Sequence, residues 1–282
     1  MKPPVFEYER IQSIDQALSL LHRERANARI LAGGQSLMIL LNMRLAQPSY
    51  LLDISQCKEL NYLKIEDNQV RVGAGVTQTQ LQYWPELTTH LPLIAEALPF
   101  ISHYQIRSRG TVVGSIAHAD PSAELALCLA TLKGSVVLQS KKGKRELNAA
   151  EFQQGILTTA KREDELIVET RLPLAQDGHG YAFDEFAVRR GDFAIVACAV
   201  DAGPDHLRLG IGGVADKPVV VECPRAQESE IDIFLNDLAW QLNAQDDQHA
   251  TASYRRHLVR HLGKNTIKKA ILRSQSGSKA NA

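Results

Sequence analysis

The sequence carries no excess charge of either sign. Its 282 residues include 32 Lys and Arg and 32 Asp and Glu, so the formal net charge is zero. Nucleic-acid-binding proteins usually carry a basic excess, and its absence argues against that class. No apolar run approaches the roughly 20 residues that a membrane-spanning helix needs, and the opening segment lacks the apolar core of a signal peptide. We therefore expect a soluble, cytoplasmic protein.

Cysteine is scarce and scattered, and no C-x-x-C pair is present. The four cysteines are Cys57, Cys128, Cys198 and Cys223. An iron–sulfur cluster would need cysteines grouped in the chain or gathered from distant segments. We expect buried free thiols and no metal site in this chain. Three histidines near the C-terminus lie among arginines, which predicts a basic surface rather than a metal site: His249, His257 and His261.

The remaining composition is that of a globular protein of roughly two domains. Hydrophobic residues make up 44% and charged residues 23% of the chain. Alternation and apolar runs predict strands at 29–32, 50–54, 68–74, 136–139, 166–172, 181–188, 194–201 and 207–211. Helical periodicity and capping residues predict helices from Ser13 and at 36–45, 77–82, 93–101, 122–132, 228–243, 249–262 and 264–273. The polar, glycine-rich segment 176–180 is the best candidate for a domain boundary.

Two glycine-containing loops could bind an anion. The first, Ala-Gly-Gly-Gln-Ser at 32–36, follows a predicted buried strand and precedes a helix. The second begins at Gly110 and continues through 111–115 to an acid, Glu124, in the first turn of a helix. Glycines allow backbone N–H groups to approach a ligand closely. Each loop alone could be a plain tight turn, whereas together they could close on one long diphosphate ligand, with the acid on a ribose hydroxyl.

A third glycine segment imitates a dinucleotide fingerprint. Residues 210–215 match G-x-G-x-x-A after a predicted strand. The fingerprint requires a helix to come next, but Pro218 lies three residues later and cannot occupy a helix interior. We therefore interpret the segment as a turn after a strand, and a Rossmann NAD domain is disfavoured.

The two loops resemble a known pair of motifs. Residues 32–36 resemble an A-G-G-x-S loop, and 111–124 resemble T-x-G-G-[NS]-x-A-x-x-D-P-x-x-[DE]. Both motifs occur in the FAD-binding medium subunits of the xanthine dehydrogenase and aerobic carbon monoxide dehydrogenase family, the molybdenum hydroxylases. The segments 105–107, 164–167 and 190–194 are also similar to that family. The resemblance extends over about residues 1–273.

The resemblance implies an α+β fold in two domains. Residues 1–176 would form a bipartite FAD-binding domain of the vanillyl-alcohol-oxidase (PCMH) type, with lobes at about 1–55 and 56–176. Residues 177–282 would form the C-terminal medium-subunit domain, a three-stranded sheet with a helical bundle.

The resemblance also implies which residues contact FAD. Ala32, Gly33, Gly34, Gln35 and Ser36 would wrap the diphosphate, and Thr111, Gly114 and Ser115 would form its second clamp. Glu124 would bind the adenosine ribose, and Leu166 would lie near the adenine or the flavin edge. Asp192 and Phe193 would lie beside the isoalloxazine ring, although core packing is the alternative role for Phe193.

The sequence departs from the family pattern at two positions. Val113 replaces the first glycine of a Gly-Gly pair, and a β-branched residue there requires a negative φ. Asp184 stands close to the place where eukaryotic relatives of the family have a lysine by the flavin, so the role of that lysine is not assigned to Asp184. Gln35 cannot form a covalent flavin link, which predicts noncovalent FAD. His118 could approach the flavin or hydrogen-bond within its own loop.

The function implied is electron transfer in a larger oxidoreductase. A small [2Fe–2S] subunit would supply electrons to FAD, and a large molybdenum-cofactor subunit would hydroxylate the substrate, in a dimer of heterotrimers. Gln35 weakly favours an N-heteroaromatic substrate of the quinoline or nicotinate type over carbon monoxide. No catalytic residue is expected in this chain. The alternatives are a self-contained FAD-dependent oxidase or dehydrogenase, and a flavin-free scaffold protein.

Overall fold

The fold is that of a computed structural model, which describes residues 2–225 and 228–280. The strands are β1 Glu7–Arg10, β2 Ala28–Leu31, β3 Tyr50–Asp53, β4 Leu63–Glu66, β5 Gln69–Gly73, β6 Ser135–Ser140, β7 Gly143–Asn148, β8 Gln153–Gly155, β9 Thr158–Thr159, β10 Leu166–Pro173, β11 Gly180–Phe186, β12 Val196–Ala202, β13 His206–Gly212 and β14 Val219–Pro224. The helices are α1 Ile14–Glu24, α2 Leu37–Asn42, α3 Gln78–Gln82, α4 Leu87–His90, α5 Pro92–Ala97, α6 Tyr104–Arg107, α7 Val112–His118, α8 Glu124–Thr131, α9 Ala149–Phe152, α10 Glu228–Gln241 and α11 Ala252–Ala280.

The first two sheets lie in the N-terminal part of the chain. A parallel three-stranded sheet has the order β1-β3-β2, with α1 packed against it because its apolar positions recur with helical spacing. An antiparallel five-stranded sheet has the order β4-β5-β10-β6-β7. Side chains from both sheets and from α5, α7 and α8 share one hydrophobic core. This shared core fixes the loop after β2 relative to α7 and α8.

The C-terminal sheet has four strands in the antiparallel order β11-β12-β13-β14, so the expected count of three is wrong. The missed strand, β14, directly follows Pro218 and ends at Pro224, and prolines this close together indicate turns rather than a strand. The turn before it was correctly predicted, because β13 ends at Gly212 and Gly213 has φ of +79°. Since β14 pairs on one side only, a proline just before its first residue removes no ladder hydrogen bond.

After this sheet, residues 228–280 form two helices, α10 and α11, rather than the three expected. The predicted segments 249–262 and 264–273 are one continuous helix, α11. Gly263, the residue between the two predicted segments, lies where α11 meets α10: a Cβ there would come within 2.8 Å of Leu235 Cδ2. The glycine therefore permits close helix packing instead of ending a helix.

The last helix also holds the first strand of the C-terminal sheet. A Cβ on Gly180 would lie 1.9 Å from the carbonyl oxygen of Ala270, so only glycine allows β11 to approach α11 this closely. Arg273 Nη1 donates to the Tyr181 carbonyl oxygen at 2.6 Å. Two further residues of β11 and β12, Phe183 and Ala199, belong to the core of the N-terminal part. The C-terminal sheet thus packs directly on the preceding region.

The cysteines agree in their state with the sequence expectation. All four are free thiols; Cys57, Cys128 and Cys198 are buried and Cys223 is half-buried. Within residues 2–225 and 228–280, no helix combines the length and the hydropathy needed to traverse a bilayer.

Candidate functional site

The two glycine loops are in direct contact although they are far apart in the chain. A Cβ on Gly33 would lie 2.1 Å from the Arg109 carbonyl oxygen and 2.6 Å from Gly110 Cα. On the same side, the Cβ position of Gly114 lies 3.9 Å from Ala32 Cβ, and that of Gly110 lies 3.6 Å from Gln35 Cγ. Main chain meets main chain here, so the two loops form one surface.

The first loop presents backbone donors that are not used within the protein. It follows β2, an edge strand, and Gly34 has φ of +73°, a conformation that favours glycine. Gln35 Nε2 donates to the Gly33 carbonyl oxygen at 2.8 Å and holds the turn. Among the described residues, the backbone N–H groups of 32–36 find no acceptor. Because backbone donors in half-buried positions are normally paired, this run of N–H groups is suited to an anion.

The second loop is the N-terminus of α7. Thr111 Oγ1 accepts from the Gly114 backbone N–H at 2.9 Å, and a Cβ on Gly114 would lie 2.7 Å from this oxygen. Ser115 N donates to the Thr111 carbonyl oxygen at 3.1 Å. Val113, the departure from the family pattern, is buried in the first turn of α7 and has a negative φ. A helical φ suits a β-branched residue, so the substitution preserves the backbone of this loop.

Gln78 supports the second loop and was not anticipated from the sequence. Its backbone N–H donates to the Gly110 carbonyl oxygen at 2.8 Å, and Val112 N donates to the Val76 carbonyl oxygen at 3.0 Å. The Gln78 side chain is 5% exposed, and its Oε1 finds no partner among the described residues. A glutamine at the start of a short helix usually faces solvent, so only the fold could identify this buried acceptor.

A pair of buried acids lies beside the second loop. Glu124 begins α8 and is 6% exposed, and burial, followed by the nearby Asp120 carboxylate, raises its pKa to about 7. Glu185 on β11 is raised to a pKa of about 8 by burial and then by the carboxylates of Glu124 and Asp184. Glu185 Oε2 is buried without a partner among the described residues. Both acids can accept hydrogen bonds from hydroxyl groups, and a hydroxyl would supply the donor that Glu185 Oε2 lacks.

An exposed aromatic lies in the loop between β11 and β12. Gly191 has φ of +87°, and its Cβ position lies 3.2 Å from His103 Cε1, so the loop packs on the segment before α6. Asp192 Oδ2 accepts from Arg189 Nε at 3.0 Å. The Phe193 side chain is 63% exposed. The alternative of core packing for Phe193 is therefore wrong, and an exposed ring in a fixed loop is available to a ligand.

Leu166, Asp184 and His118 occupy different surroundings. Leu166 begins β10 and is 1% exposed, so its side chain belongs to the core and offers a ligand little surface. Asp184 forms an ion pair with Lys269 at 3.5 Å, and its charge is opposite in sign to the lysine of eukaryotic relatives. His118 ends α7, and burial lowers its pKa, which favours a neutral imidazole.

Comparison with known proteins gives concordant matches. Residues 4–175 match the family model described as the FAD-binding domain in molybdopterin dehydrogenase. The chain is 35% identical over 288 residues to the alpha subunit of the 6-hydroxypseudooxynicotine dehydrogenase complex of Paenarthrobacter nicotinovorans, covering 98% of this chain and 97% of that subunit. It is 34% identical over 220 residues to the carbon monoxide dehydrogenase medium chain of Hydrogenophaga pseudoflava, covering 76% and 77%.

The structural comparison agrees with the sequence matches. Quinoline 2-oxidoreductase from Pseudomonas putida 86 is similar with a TM-score of 0.90 and 30% identity, covering 98% of this chain and 99% of the other. The expected α+β fold of the PCMH type is confirmed at this level, with the corrected strand and helix counts given above.

Proposed function

This chain belongs to the family of FAD-binding subunits of molybdopterin dehydrogenases, and we propose that its two glycine loops together hold the diphosphate of FAD. The chain is the flavoprotein medium subunit of a multi-subunit molybdenum hydroxylase, an oxidoreductase, and not a self-contained oxidase. The observation that carries the proposed site is the main-chain contact between Gly33 and Gly110.

The residues present fit a diphosphate. Residues 32–36 supply consecutive unpaired N–H groups to one side of it. Thr111, Gly114 and Ser115 supply the other side; Thr111 Oγ1 already accepts from Gly114 N, but its O–H remains free to donate to a phosphate oxygen. A side chain at Gly33 would push the loops apart, because it would meet the main chain of Arg109.

The buried acids and the exposed aromatic extend the site in two directions. We assign Glu124 to the adenosine ribose, since it is a buried acid that follows the second loop and can accept from ribose hydroxyls, and the neighbouring Glu185 Oε2 finds no partner among the described residues. Phe193 and Asp192 lie in a loop anchored by Gly191 on His103, and we assign them to the isoalloxazine ring. Leu166 keeps a core role that supports the adenine or flavin edge from behind.

When bound, FAD supplies a carrier that stores two electrons and exchanges them singly or in pairs. The protein's residues bind it, fix the orientation of its ring and set the polarity around it. Gln35 has no nucleophilic atom, and its amide is committed to the Gly33 carbonyl oxygen, which supports noncovalent binding. We assign no acid–base role toward an organic substrate to any residue of this chain.

The partners are proposed from the family. The relatives are subunits of complexes, and two of them are named as medium chains or medium subunits. We propose a small [2Fe–2S] subunit as the electron donor, a large molybdenum-cofactor subunit, and a dimer of such heterotrimers in the cytoplasm. Relatives named for hydroxypseudooxynicotine and quinoline support an N-heteroaromatic substrate for the complex. We propose the domain division at 176/177, supported by the family match over residues 4–175.

The purified chain tests the proposal. It should retain one FAD per chain, and acid precipitation should release all flavin into the supernatant. The isolated chain should contain neither iron nor molybdenum and should not hydroxylate quinoline or nicotinate, whereas the complete complex should contain both metals. Flavin that stays with the pellet would contradict noncovalent binding. Hydroxylation by the metal-free chain would overturn the assignment of the partner subunits.

A further inference from the structure

Three side chains that the electron-transfer role does not use meet at one end of the C-terminal sheet. His179 lies just before β11, Asp201 lies in β12, and His206 begins β13. One nitrogen or oxygen atom from each residue lies within 4.8 Å of the corresponding atoms of the other two. The strand register explains the cluster. Asp201 pairs with Tyr181, so it lies beside the segment that enters β11, and Ala202 pairs with Leu207, so His206 lies next to the end of β12.

The cluster is enclosed and tightly packed. The side chains of His179 and Asp201 are 6% and 5% exposed, and His179 Nδ1 lies 2.6 Å from Asp201 Oδ1. The imidazole rings of His179 and His206 meet edge to face with centroids 5.3 Å apart. A Cβ on Gly203 would lie 2.6 Å from His206 Cε1 and 3.0 Å from His179 Cε1. Gly203 therefore leaves the space that the two imidazole rings occupy in the hairpin.

One atom of the cluster lacks a partner. His206 Nε2 is buried and, within the described parts of the chain, forms no hydrogen bond. Leaving a buried polar nitrogen unpaired costs about 1–3 kcal/mol, so such atoms in folded proteins usually indicate a missing ligand or water. A cation bound by the imidazole would remove this cost.

The surroundings orient the carboxylate through its second oxygen, Oδ2. Arg208 Nη1 donates to Asp201 Oδ2 at 2.9 Å, which fixes the carboxylate and leaves Oδ1 facing His179. Arg208 Nε donates to Glu222 Oε1 at 2.6 Å, so the arginine charge is shared with a second acid. Hydrogen bonds of this kind to the outer oxygen of a ligating carboxylate are common around protein metal sites.

We propose that His179, Asp201 and His206 bind one Zn²⁺-class cation, with water in the fourth position. Two imidazoles and a carboxylate form a ligand set that zinc takes readily, with bonds of about 2.0–2.2 Å. A tetrahedron with such bonds has edges of about 3.3 Å, which lies between the 2.6 Å contact and the 4.8 Å limit observed here. Small side-chain rotations would form the site: the metal would take the place of the hydrogen bond between His179 Nδ1 and Asp201 Oδ1, and the ring proton of His179 would move from Nδ1 to Nε2.

The bound cation would join the segment entering β11 to the β12–β13 hairpin. One contact already joins the same two regions, because the Cβ position of Gly178 lies 3.7 Å from Pro204 Cγ. The site would thus cross-link two segments at the start of the C-terminal sheet, and it is separate from the glycine loops that we assign to FAD.

Equilibrium dialysis of the full-length chain against ZnCl₂ after EDTA treatment tests the proposal, with metal analysis and thermal unfolding as readouts. The wild type should retain one zinc per chain, and zinc at about 100 times its Kd should raise Tm by roughly 5 °C. His206→Gln should weaken zinc binding at least 100-fold. Because Nε2 has no hydrogen bond to lose, this variant should keep the metal-free Tm of the wild type.

A second histidine pair provides the matched control. His257 and His261 lie one turn apart on α11 with stacked rings 6.3 Å apart, a spacing that can also hold zinc weakly at a surface. The double variant His257→Gln/His261→Gln should leave the tight site unchanged. Loss of binding in this double variant with retention in His206→Gln would overturn the proposal, as would a wild-type chain that retains no zinc. Asp201→Asn provides an independent variant, for which a zinc affinity equal to that of the wild type would also overturn it.

Discussion

Gly33 and Gly110 touch through their main chains: a Cβ on Gly33 would lie 2.6 Å from Gly110 Cα. This contact joins two loops that are each ordinary turns in sequence into one continuous surface. It also makes the surface sensitive to a single methyl group, because neither main chain can move aside without disturbing β2 or α7.

The first prediction concerns this contact. Gly33→Ala should destabilise the protein by about 1–3 kcal/mol, since the new methyl overlaps the Arg109 carbonyl group. It should also lower the ratio of flavin to protein after purification. Gly155→Ala is the control, because nothing lies within 4 Å of its Cβ position. Urea unfolding and the visible absorption of flavin measure both effects; normal flavin retention in Gly33→Ala would contradict the joint site.

The second prediction concerns pH and the FAD-free protein. Burial raises the pKa of Glu124 to about 7, above its value in the unfolded chain, so folding favours the protonated acid. The stability from this acid is complete below about pH 4.5 and is lost as the pH rises through about 7. Glu124→Gln should therefore be more stable than the wild type at pH 8, by roughly 1–3 kcal/mol, and similar to it at pH 5.

Urea unfolding at several pH values checks this prediction. Glu163 is exposed, so Glu163→Gln should reproduce the wild-type dependence on pH. The free energy of unfolding of the wild type should continue to fall until about pH 8, because the pKa of Glu185 is raised to about 8. Equal pH dependence in the wild type and Glu124→Gln would show that Glu124 is not protonated in the folded chain.

The third prediction concerns the ribose. Glu124→Ala should lower FAD affinity by roughly 10- to 150-fold, the equivalent of one charged hydrogen bond worth about 1.5–3 kcal/mol. Glu124→Gln should lose less, because its amide oxygen can still accept from a hydroxyl. Titration of the FAD-free protein, followed by flavin fluorescence, gives the dissociation constants. An unchanged constant in Glu124→Ala would remove the ribose assignment.

The fourth prediction concerns the aromatic loop. Phe193 is 63% exposed, so Phe193→Ala should leave Tm and flavin content close to the wild type. It should shift the absorption spectrum and reduction potential of bound flavin, because the ring environment becomes more polar. Tyr83→Ala, which removes another exposed ring, 70% exposed, should change neither. A normal spectrum in Phe193→Ala would place this side chain away from the flavin.

Local chemistry was sufficient to predict the loops but not their contact. The Gly33-Gly34 turn is visible in sequence because it depends on neighbours within a few residues. The helix that Thr111 caps, α7, was not predicted. Gln78 and Glu185 depend on packing between distant elements, so their buried oxygens carry no local signal. Gly263 shows the same limit: its sequence signal is that of a helix end, yet contact with Leu235 determines its role.

The contact of Gly180 with Ala270 has a consequence for how the protein is made. The strand that leads to Asp192 and Phe193 is held by a helix near the C-terminus, through the Ala270 carbonyl group and Arg273. During synthesis the two glycine loops leave the ribosome well before this helix, which follows them by more than a hundred residues. A nascent chain can therefore bring together the loops that we assign to the diphosphate before the loop that we assign to the ring is held in place, and a chain terminated before Ala270 would keep the first and lack the support of the second.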